Sequence, residues 1–170
     1  EQALLNANEE MKHMASIVDS SDVYLMNRDG LTIAASNYQL ETSFVGGNFS
    51  FRPYFYQAME NRDYALYFAL GTTSLERGLY FAYPVQSDAP NEEPLGVLAV
   101  KILVSDLEAA WQRPDTSFNA EMMLEDADGI SFLASRPDWL YHSLTPLSDE
   151  TRQRVVASRR YNRQPIDALN

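Results

Sequence analysis

The chain has 170 residues, of which 45% are hydrophobic and 22% charged, an ordinary composition for a globular domain. Its 13 basic and 24 acidic residues give a formal charge of −11, and such a surface repels phosphate backbones, which argues against a nucleic-acid partner. The lack of cysteine excludes disulfides, thiolate metal sites and cysteine nucleophiles, and two histidines are too few for a histidine-rich metal centre.

No run of residues is long enough to form a membrane-spanning helix. The apolar run from Leu95 to Val104 has about ten residues, one of them a lysine, whereas a span needs about 20. The N-terminal residues are neither basic nor followed by an apolar run, so no signal peptide is predicted. We expect a soluble segment cut from something larger.

Residues 3–18 predict an amphipathic helix, because apolar side chains recur at spacings of three and four. Two interpretations stay open for it. The helix either packs on the domain's own sheet, or is a stalk that leaves a membrane anchor and pairs with a twin helix in a homodimer.

Two strand-like runs follow, residues 23–28 and 31–36, and Asp29-Gly30 between them is a strong hairpin signal because glycine tolerates a positive φ. The next predicted elements are a loop over 37–50, a helix over 54–61, strands over 64–70, 79–85 and 95–104, and a helix over 105–112. Ser105 is the predicted cap of that last helix, with Glu108 in capping-box spacing. This order predicts an α/β (α+β) fold with a five-stranded antiparallel sheet and helices on one side, which is a PAS-like sensor architecture.

The hairpin pattern then recurs about 100 residues further on. Residues 121–125 and 130–135 flank an acidic turn that ends in Gly129, and a helix is predicted near 149–160. The repeat predicts three regions: an N-terminal helix over 1–20, a PAS-like module over 21–113 and a partial second module over 114–170. We expect the strands that would close the second sheet to be lost to truncation or disorder, or supplied by another chain.

Lys101 lies inside an apolar strand, where lysine is rare without a partner. One interpretation is an edge-strand lysine that reaches water or pairs with an internal carboxylate. The other is a lysine that points into a cavity and binds an anion.

Arg52 lies among aromatic residues in the run from Asn48 to Tyr56. Its planar guanidinium suits a carboxylate bound through two hydrogen bonds, although an arginine that caps backbone carbonyls would fit the same pattern. Ser50 and Tyr54 are neighbours in this run. Gly71, Thr72, Thr73 and Ser74, with Arg77 beyond them, form a hydroxyl-rich loop that can surround an oxyanion or is simply a polar hairpin loop.

Two long runs resemble the sensor domains of DctB-type sensor histidine kinases for four-carbon dicarboxylates. They are residues 43–55, SFVGGNFSFRPYF, and residues 67–85, YFALGTTSLERGLYFAYPV. The resemblance extends from about Ala3 to Tyr161. In that family the extracytoplasmic region is a double PAS-like unit, called PDC or Cache, between two membrane helices, and its membrane-distal module binds succinate, fumarate or malate.

The resemblance implies a periplasmic domain of a bacterial inner-membrane protein, attached to the membrane only through flanking helices outside this chain. It would bind a small dicarboxylate without turnover and signal to a cytoplasmic histidine kinase of a two-component system that controls dicarboxylate transport. No cofactor and no metal are expected. The candidate ligand-binding residues are Arg52, Lys101, Thr72, Thr73, Ser74, Ser50, Tyr54, Gly71 and Arg77.

Two other functions stay open. A Cache domain for another small anion, such as an amino acid, would need an acidic side chain in the pocket, for which Asp63 and Glu76 are candidates. A structural interaction module would instead pair its buried cations with internal acids, and a crystal structure with Lys101 paired to an aspartate or glutamate would remove the small-molecule hypothesis. An enzyme is not indicated, because no base–nucleophile pair is visible and the turn explains Asp126 and Asp128.

Overall fold

The computed structural model describes residues 2–89, 92–111 and 121–169. Its helices are α1 (Gln2–Ile17), α2 (Pro53–Asn61), α3 (Val104–Trp111) and α4 (Asp149–Ala157). Its first strands are β1 (Asp22–Asn27), β2 (Thr32–Ala35), β3 (Ala65–Leu70), β4 (Arg77–Val85) and β5 (Gly96–Leu103). Further along the chain are β6 (Met123–Glu125), β7 (Ser131–Ala134), β8 (His142–Ser143) and β9 (Asp167–Ala168).

The first five strands form one sheet in the order β2-β1-β5-β4-β3. β1 pairs antiparallel with both β2 and β5. The predicted hairpin is confirmed, and Gly30 in its turn has a φ of 76°, a conformation that a residue with a Cβ rarely adopts. The five-stranded PAS-like sheet and the predicted elements around it are therefore confirmed.

Alternating side chains in β1 separate the two faces of the sheet. Val23 faces α1, where it forms a core cluster with Met11 and Ala34. Tyr24, next along the strand, faces the other way and its hydroxyl lies 2.7 Å from that of Tyr54 in α2. Helices therefore lie on both faces, and the prediction that they share one side is wrong.

Helix α1 packs on its own sheet, as the first interpretation of residues 3–18 proposed. Besides the apolar cluster, the buried Asn8 side chain accepts a hydrogen bond of 2.9 Å from the backbone N–H of Ala35 in the edge strand β2. This amide bond satisfies a donor that the edge of a sheet otherwise leaves unpaired. The pairing of α1 with a second copy of the chain stays a prediction.

The predicted cap of α3 is wrong. The helix begins at Val104, so Ser105 lies inside it. The carboxylate of Glu108, expected to complete the cap, instead lies 2.6 Å from the guanidinium of Arg77. An ion pair between residues distant in sequence has replaced the local contact that the spacing suggested.

The chain divides into two compact units. The first comprises Glu1–Tyr67 and Leu79–Ile102, and the second comprises Phe68–Gly78 and Leu103–Asn170. The loop between β3 and β4 thus groups with the second unit, although it is contiguous with the first module in sequence. The predicted boundary between residues 113 and 114 lies outside the described residues and stays a prediction.

In the second unit, β6 and β7 form the predicted second hairpin, with Gly129 at a φ of 75°. β8 and β9 pair in parallel, a contact of two-residue strands that no sequence pattern signals. The ring of Phe68 stacks on that of Phe132 in this unit. Among residues 2–89, 92–111 and 121–169, no helix is both long and apolar enough to cross a bilayer.

Candidate functional site

Lys101 lies on the central strand β5, directly opposite Asp22 of β1. Its side chain is fully buried, and its Nζ lies 3.4 Å from Oδ2 of Asp22. The ammonium also lies 5.9 Å from the centre of the Phe44 ring. Lys101 is therefore neither on an edge strand nor open to water, and it pairs with an internal carboxylate. Taken alone, this contact favours the structural interaction module over a ligand site.

Arg52 immediately precedes α2 and is 2% exposed. Its backbone carbonyl accepts a hydrogen bond of 3.0 Å from Phe55 in the first turn of that helix, while its own N–H donates to Phe49. The guanidinium carbon lies 5.3 Å from the centre of the Phe51 ring, a cation–π distance. The predicted stiff arginine among aromatic rings is what the structure has.

A cluster of buried tyrosines lies next to Arg52 in the first unit. The Tyr54 ring stacks on Tyr80 at 5.2 Å and lies 6.2 Å from Tyr67, while its hydroxyl meets that of Tyr24. Burial raises the pKa of Tyr54 to about 12, even though the Tyr24 hydrogen bond and the positive charge of Arg52 act to lower it. Burial likewise holds the pKa of Tyr24 well above its ordinary value. These hydroxyls are therefore neutral and able to donate at physiological pH.

Contacts between aromatic rings connect the two cations. Phe44, beside the Lys101 ammonium, packs edge-on against Tyr24 at 5.2 Å, and Tyr24 in turn reaches Tyr54. The positive charge of Arg52 lowers the pKa of both tyrosines, although desolvation has the larger opposite effect. Arg52, Tyr54 and Lys101, three of the predicted site residues, therefore belong to one buried region of the first unit.

Ser50 is placed differently from its neighbour Arg52. It is exposed, and its hydroxyl donates to Oδ1 of Asn48 at 2.7 Å. Its backbone lies against the hairpin turn so closely that a Cβ on Gly30 would lie 2.5 Å from the Ser50 nitrogen. This contact gives Ser50 a role in fixing the turn, and its role in ligand binding stays a prediction.

The predicted hydroxyl loop belongs to the second unit. The Gly71 N–H donates to the carbonyl of Glu76 at 2.8 Å, and the Ser74 hydroxyl accepts from the Glu76 N–H at 3.4 Å. Thr72 is partly buried and Thr73 is exposed. That these four residues contact a ligand stays a prediction.

Arg77, predicted to join the same loop, makes several contacts inside the second unit. Its guanidinium donates one hydrogen bond of 2.8 Å to the carbonyl of Phe132 and another of 2.7 Å to the carboxylate of Glu108. These bonds give it a structural role there. Its contact with a ligand also stays a prediction.

The residues that sequence reasoning missed are Asp22, Tyr24, Tyr67 and Tyr80. Strand alternation could have placed Asp22 and Tyr24 on one face, because they are two residues apart in β1. No sequence pattern predicts that this face of β1 lies beside Lys101. Within the described ranges, no group of three or more His, Cys, Asp or Glu side chains is arranged to hold a metal ion.

Comparison with known proteins gives a consistent result. The chain is 37% identical over 152 residues to the C4-dicarboxylate transport sensor protein DctB of Pseudomonas aeruginosa, covering 89% of this chain and 24% of that protein. It is 32% identical over 159 residues to the protein of the same name from Rhizobium meliloti, covering 94% of this chain and 24% of that protein. The chain thus spans about a quarter of the length of these relatives.

A solved structure shares the fold. The crystal structure of the V. cholerae histidine kinase DctB sensor domain superposes with a TM-score of 0.84 at 37% sequence identity. The match covers 98% of this chain and 62% of that one. No protein-family model matches the chain.

Proposed function

We propose, on the premise that this chain is a homologue of the DctB sensor domain, that it senses C4 dicarboxylates such as succinate, fumarate and malate. The homology concerns the sensory part of these kinases and not their catalytic part. This segment would therefore bind its ligand without chemical turnover. The Lys101–Asp22 ion pair favours the alternative of a purely structural module. That alternative does not explain why the chain is similar to a sensor domain.

One observation carries the proposal: two almost fully buried cations lie in a chain whose net charge is −11. Lys101 is 0% and Arg52 2% exposed. Burying a charge costs several kcal/mol, roughly, unless an anion or hydrogen bonds compensate. A dicarboxylate brings one negative charge for each of the two cations, so its charge matches that of the buried pair.

Each group has a distinct part in the proposed binding. The planar guanidinium of Arg52 would hold one carboxylate through two parallel hydrogen bonds. The Lys101 ammonium would neutralise the other as a compact charge. The hydroxyls of Tyr24 and Tyr54 are protonated because their pKa values are raised, and since one of them donates to the other, the pair would donate one further hydrogen bond to the ligand.

The remaining candidates enter the proposal through the family resemblance. Thr72, Thr73 and Ser74 would supply hydroxyls to the ligand, with Gly71 allowing a close backbone approach. Ser50 and Arg77 would contact it in addition. Single alanine substitutions at the three hydroxyl residues test this: a residue in the site should weaken binding, whereas one outside it should not.

Isothermal titration calorimetry with succinate, fumarate and malate tests the proposed function. Butyrate is the control ligand, because it keeps the four carbons but lacks one charge. We expect the dicarboxylates to bind and butyrate to bind at least about tenfold more weakly, since one charge-assisted hydrogen bond contributes about 1.5–3 kcal/mol. Binding of an amino acid in place of the dicarboxylates would favour the other Cache function.

Substitution of Arg52 then separates geometry from charge. Arg52→Lys keeps the charge but loses the planar fork, so we expect it to bind about tenfold more weakly than the wild type. Arg52→Ala should bind still more weakly. A lysine variant with wild-type affinity would contradict bidentate binding, and an alanine variant with wild-type affinity would remove Arg52 from the site.

The longer protein is proposed to be a sensor histidine kinase of the bacterial inner membrane, with this domain in the periplasm. Phosphotransfer would belong to a cytoplasmic part, and two copies would pair through α1. Sedimentation equilibrium with and without succinate tests the homodimer. A strictly monomeric chain under both conditions would contradict pairing by this segment.

A further inference from the structure

Lys101 is connected twice to the short segment that joins α1 to β1. Its Nζ pairs with Asp22, and its backbone carbonyl accepts a hydrogen bond of 3.0 Å from the N–H of Ser21. The Ser20 N–H in turn donates a hydrogen bond of 3.1 Å to the backbone carbonyl of Ala15 in the last turns of α1. Lys101 of the proposed ligand site therefore contacts, by its side chain, the first residue of β1 and, by its backbone, the last residue of the connection from α1.

The contact between Asp22 and Lys101 is a loose one. A charge-assisted hydrogen bond between N–H and a carboxylate is typically about 2.7–2.9 Å long, and this one measures 3.4 Å. Oδ2 of Asp22 already accepts a shorter bond of 2.6 Å from the Ser21 hydroxyl. The Asp22 carboxylate thus keeps one hydrogen-bond partner, the Ser21 hydroxyl, when it separates from the lysine.

Asp22 also borders a cavity of about 340 Å³ in the first unit, which is lined by both polar and apolar side chains. The cavity lies between α1 and the loop after β2, and its polar lining residues are Lys12, Ser21, Asp22, Ser36, Asn37 and Gln39. The side chain of Asp22 is 10% exposed, whereas that of Lys101 is fully buried. A carboxylate that leaves the ammonium therefore has a partly polar space to enter.

We propose that Asp22 is the internal counter-ion of Lys101 and that a ligand carboxylate displaces it. This exchange changes the segment before β1 and so transmits ligand binding to α1. The inference rests on the proposed function, since it requires Lys101 to bind the ligand. A buried ammonium is compensated by one anion, and two carboxylates beside it repel each other. A dicarboxylate and Asp22 therefore compete for the same charge.

The segment from Val18 to Ser21 is well placed to report that exchange. Asp19 has a φ of 49°, in the left-handed region, where aspartate is one of the few residues other than glycine that occur with some frequency. Displacement of Asp22 pulls on this segment through one residue, Ser21. A ligand shifts such an equilibrium only through its different affinity for the two states, and the competing carboxylate supplies that difference.

Asp22→Asn tests the competition, because asparagine keeps the size of the side chain and removes its charge. We expect the affinity for succinate, measured by calorimetry, to rise at least about tenfold, which corresponds to about 1.4 kcal/mol. Asp29→Asn is the matched control, because it removes the same charge from the exposed hairpin turn of the same unit. We expect the control to bind succinate as the wild type does.

Hydrogen exchange tests the connection to α1. The backbone amides of Val18, Ser20 and Ser21 all donate hydrogen bonds in the structure, so their exchange rates report on the segment. Succinate should change these rates in the wild type and in Asp29→Asn. In Asp22→Asn it should bind more tightly and yet leave them unchanged, a combination that a merely structural role of Asp22 would not produce.

The outcomes separate the inference from the function on which it rests. If the wild type binds succinate and Asp22→Asn binds it equally or more weakly, the inference is overturned and the proposed function stands. If Asp22→Asn still shows the change in exchange, Asp22 does not transmit the signal and the inference is overturned as well. If the wild type binds no dicarboxylate, the proposed function fails and the inference fails with it.

If Asp22→Asn does not fold, a second measurement still tests the inference. The variant would then be followed by circular dichroism with succinate and with sodium chloride of equal ionic strength. Recovery of the native spectrum in succinate alone would show that a ligand carboxylate replaces the missing counter-ion. No recovery, with wild-type binding intact, would overturn the inference.

Discussion

The turn after β1 and the turn after β6 have matching hydrogen bonds, in which backbone N–H groups donate to a side chain at the start of the turn. In the first, the Asn27 side chain accepts from the N–H groups of Asp29 and Leu31, each at 3.0 Å. In the second, Asp126 accepts from Asp128 at 2.8 Å and from Ile130 at 3.0 Å. Every residue of the second set lies 99 positions after its counterpart.

The match extends to the far end of both hairpins. The Ser36 hydroxyl accepts from the N–H of Val23 at 3.0 Å, and the Ser135 hydroxyl accepts from the N–H of Met122 at 2.9 Å. Both hairpins also carry an irregularity in register at corresponding positions. The two hairpins predicted from the sequence thus match at the level of single hydrogen bonds, and the tandem repeat of whole modules stays a prediction.

The two turns differ in charge. Asn27 is neutral, whereas Oδ2 of Asp126 accepts from Arg160 and Tyr161, both at 2.6 Å. Asp128 contacts Arg160 and Arg154 as well. The turn explains the position of Asp126 and Asp128, but no sequence pattern predicts this ionic network.

The comparison shows how one backbone motif serves two purposes. In the first unit, the buried charges include the cations Arg52 and Lys101, close to neutral tyrosines, and the carboxylate of Asp22. In the second unit, charged pairs connect the turn to the residues after α4. The first arrangement suits an anionic ligand, and the second holds the unit together.

The largest effect is expected from removing the acidic side chain of the second turn. Asp126→Ala loses two hydrogen bonds from the backbone and two from side chains, and it leaves the partly buried Arg160 with fewer partners, so the free energy of unfolding should fall by about 3–4 kcal/mol. The matched Asn27→Ala loses only the backbone bonds and should cost about 1–2 kcal/mol. Urea denaturation measures both. Equal losses would show that the ionic network contributes nothing.

A smaller effect is expected from Lys101→Met in the first unit. It leaves the carboxylate of Asp22 without the ammonium, but Asp22 keeps the Ser21 hydrogen bond and some exposure, so we expect a loss of about 2 kcal/mol. The double variant Asp22→Asn/Lys101→Met should recover most of that loss, because it removes both charges. A single variant more stable than the wild type in urea denaturation would contradict a stabilising ion pair.

The neutral tyrosines predict a response to alkaline pH. The pKa of Tyr54 lies at about 12 in the folded chain, above the ordinary value of 10, so the stability from its burial is complete below pH 10 and is lost as the pH rises towards 12. Tyr54→Phe should cost about 1 kcal/mol at neutral pH, since the Tyr24 hydroxyl loses its partner. Tyrosinate absorbance measured from pH 9 to 12.5 should lose the step near pH 12 in the variant. An unchanged titration would place Tyr54 outside the buried cluster.

The smallest effect concerns Asp128, at the rim of the ionic network. Burial acts to raise its pKa, but hydrogen bonds from Arg160 and Arg154 outweigh this and lower it below 3.8. Stability from these contacts is therefore present above that value and lost as the pH falls through the lower folded value. Asp128→Asn should be less stable than the wild type by at most about 1 kcal/mol at pH 7, and the difference should shrink below about pH 4.

Asp29→Asn at the corresponding position of the first turn is the control for this measurement. Urea denaturation of both variants from pH 7 to pH 3 gives the comparison. A difference between the wild type and Asp128→Asn that grows as the pH falls would contradict the assigned direction.

Local signals in the sequence determined the elements. Glycine after an acidic residue fixed both turns, since few other residues adopt the positive φ that Gly30 and Gly129 have. Apolar periodicity fixed α1 and the strands of the first sheet. These signals involve neighbours in the chain, so they can be read without knowing how the chain folds back on itself.

Candidate residues could be named from the sequence, but their partners could not. Arg52 and Lys101 stood out because a cation in an apolar run is uncommon. The face of the sheet that Lys101 occupies follows from alternation, yet alternation does not say which strand lies opposite. The position of Asp22 beside Lys101 depends on the antiparallel pairing of β1 with β5, which are far apart in the chain.

Tertiary structure alone decided the charge pairs and the packing of aromatic rings. Glu108 pairs with Arg77 instead of capping its own helix, and Arg160 reaches a turn that is more than 30 residues away. Tyr24, Tyr54 and Tyr80 come from a strand, a helix and a second strand that meet only when the sheet has formed. The sequence determines what each segment becomes because backbone propensities are local, whereas the partner of a buried charge is fixed only when folding brings distant segments together and excludes water from between them.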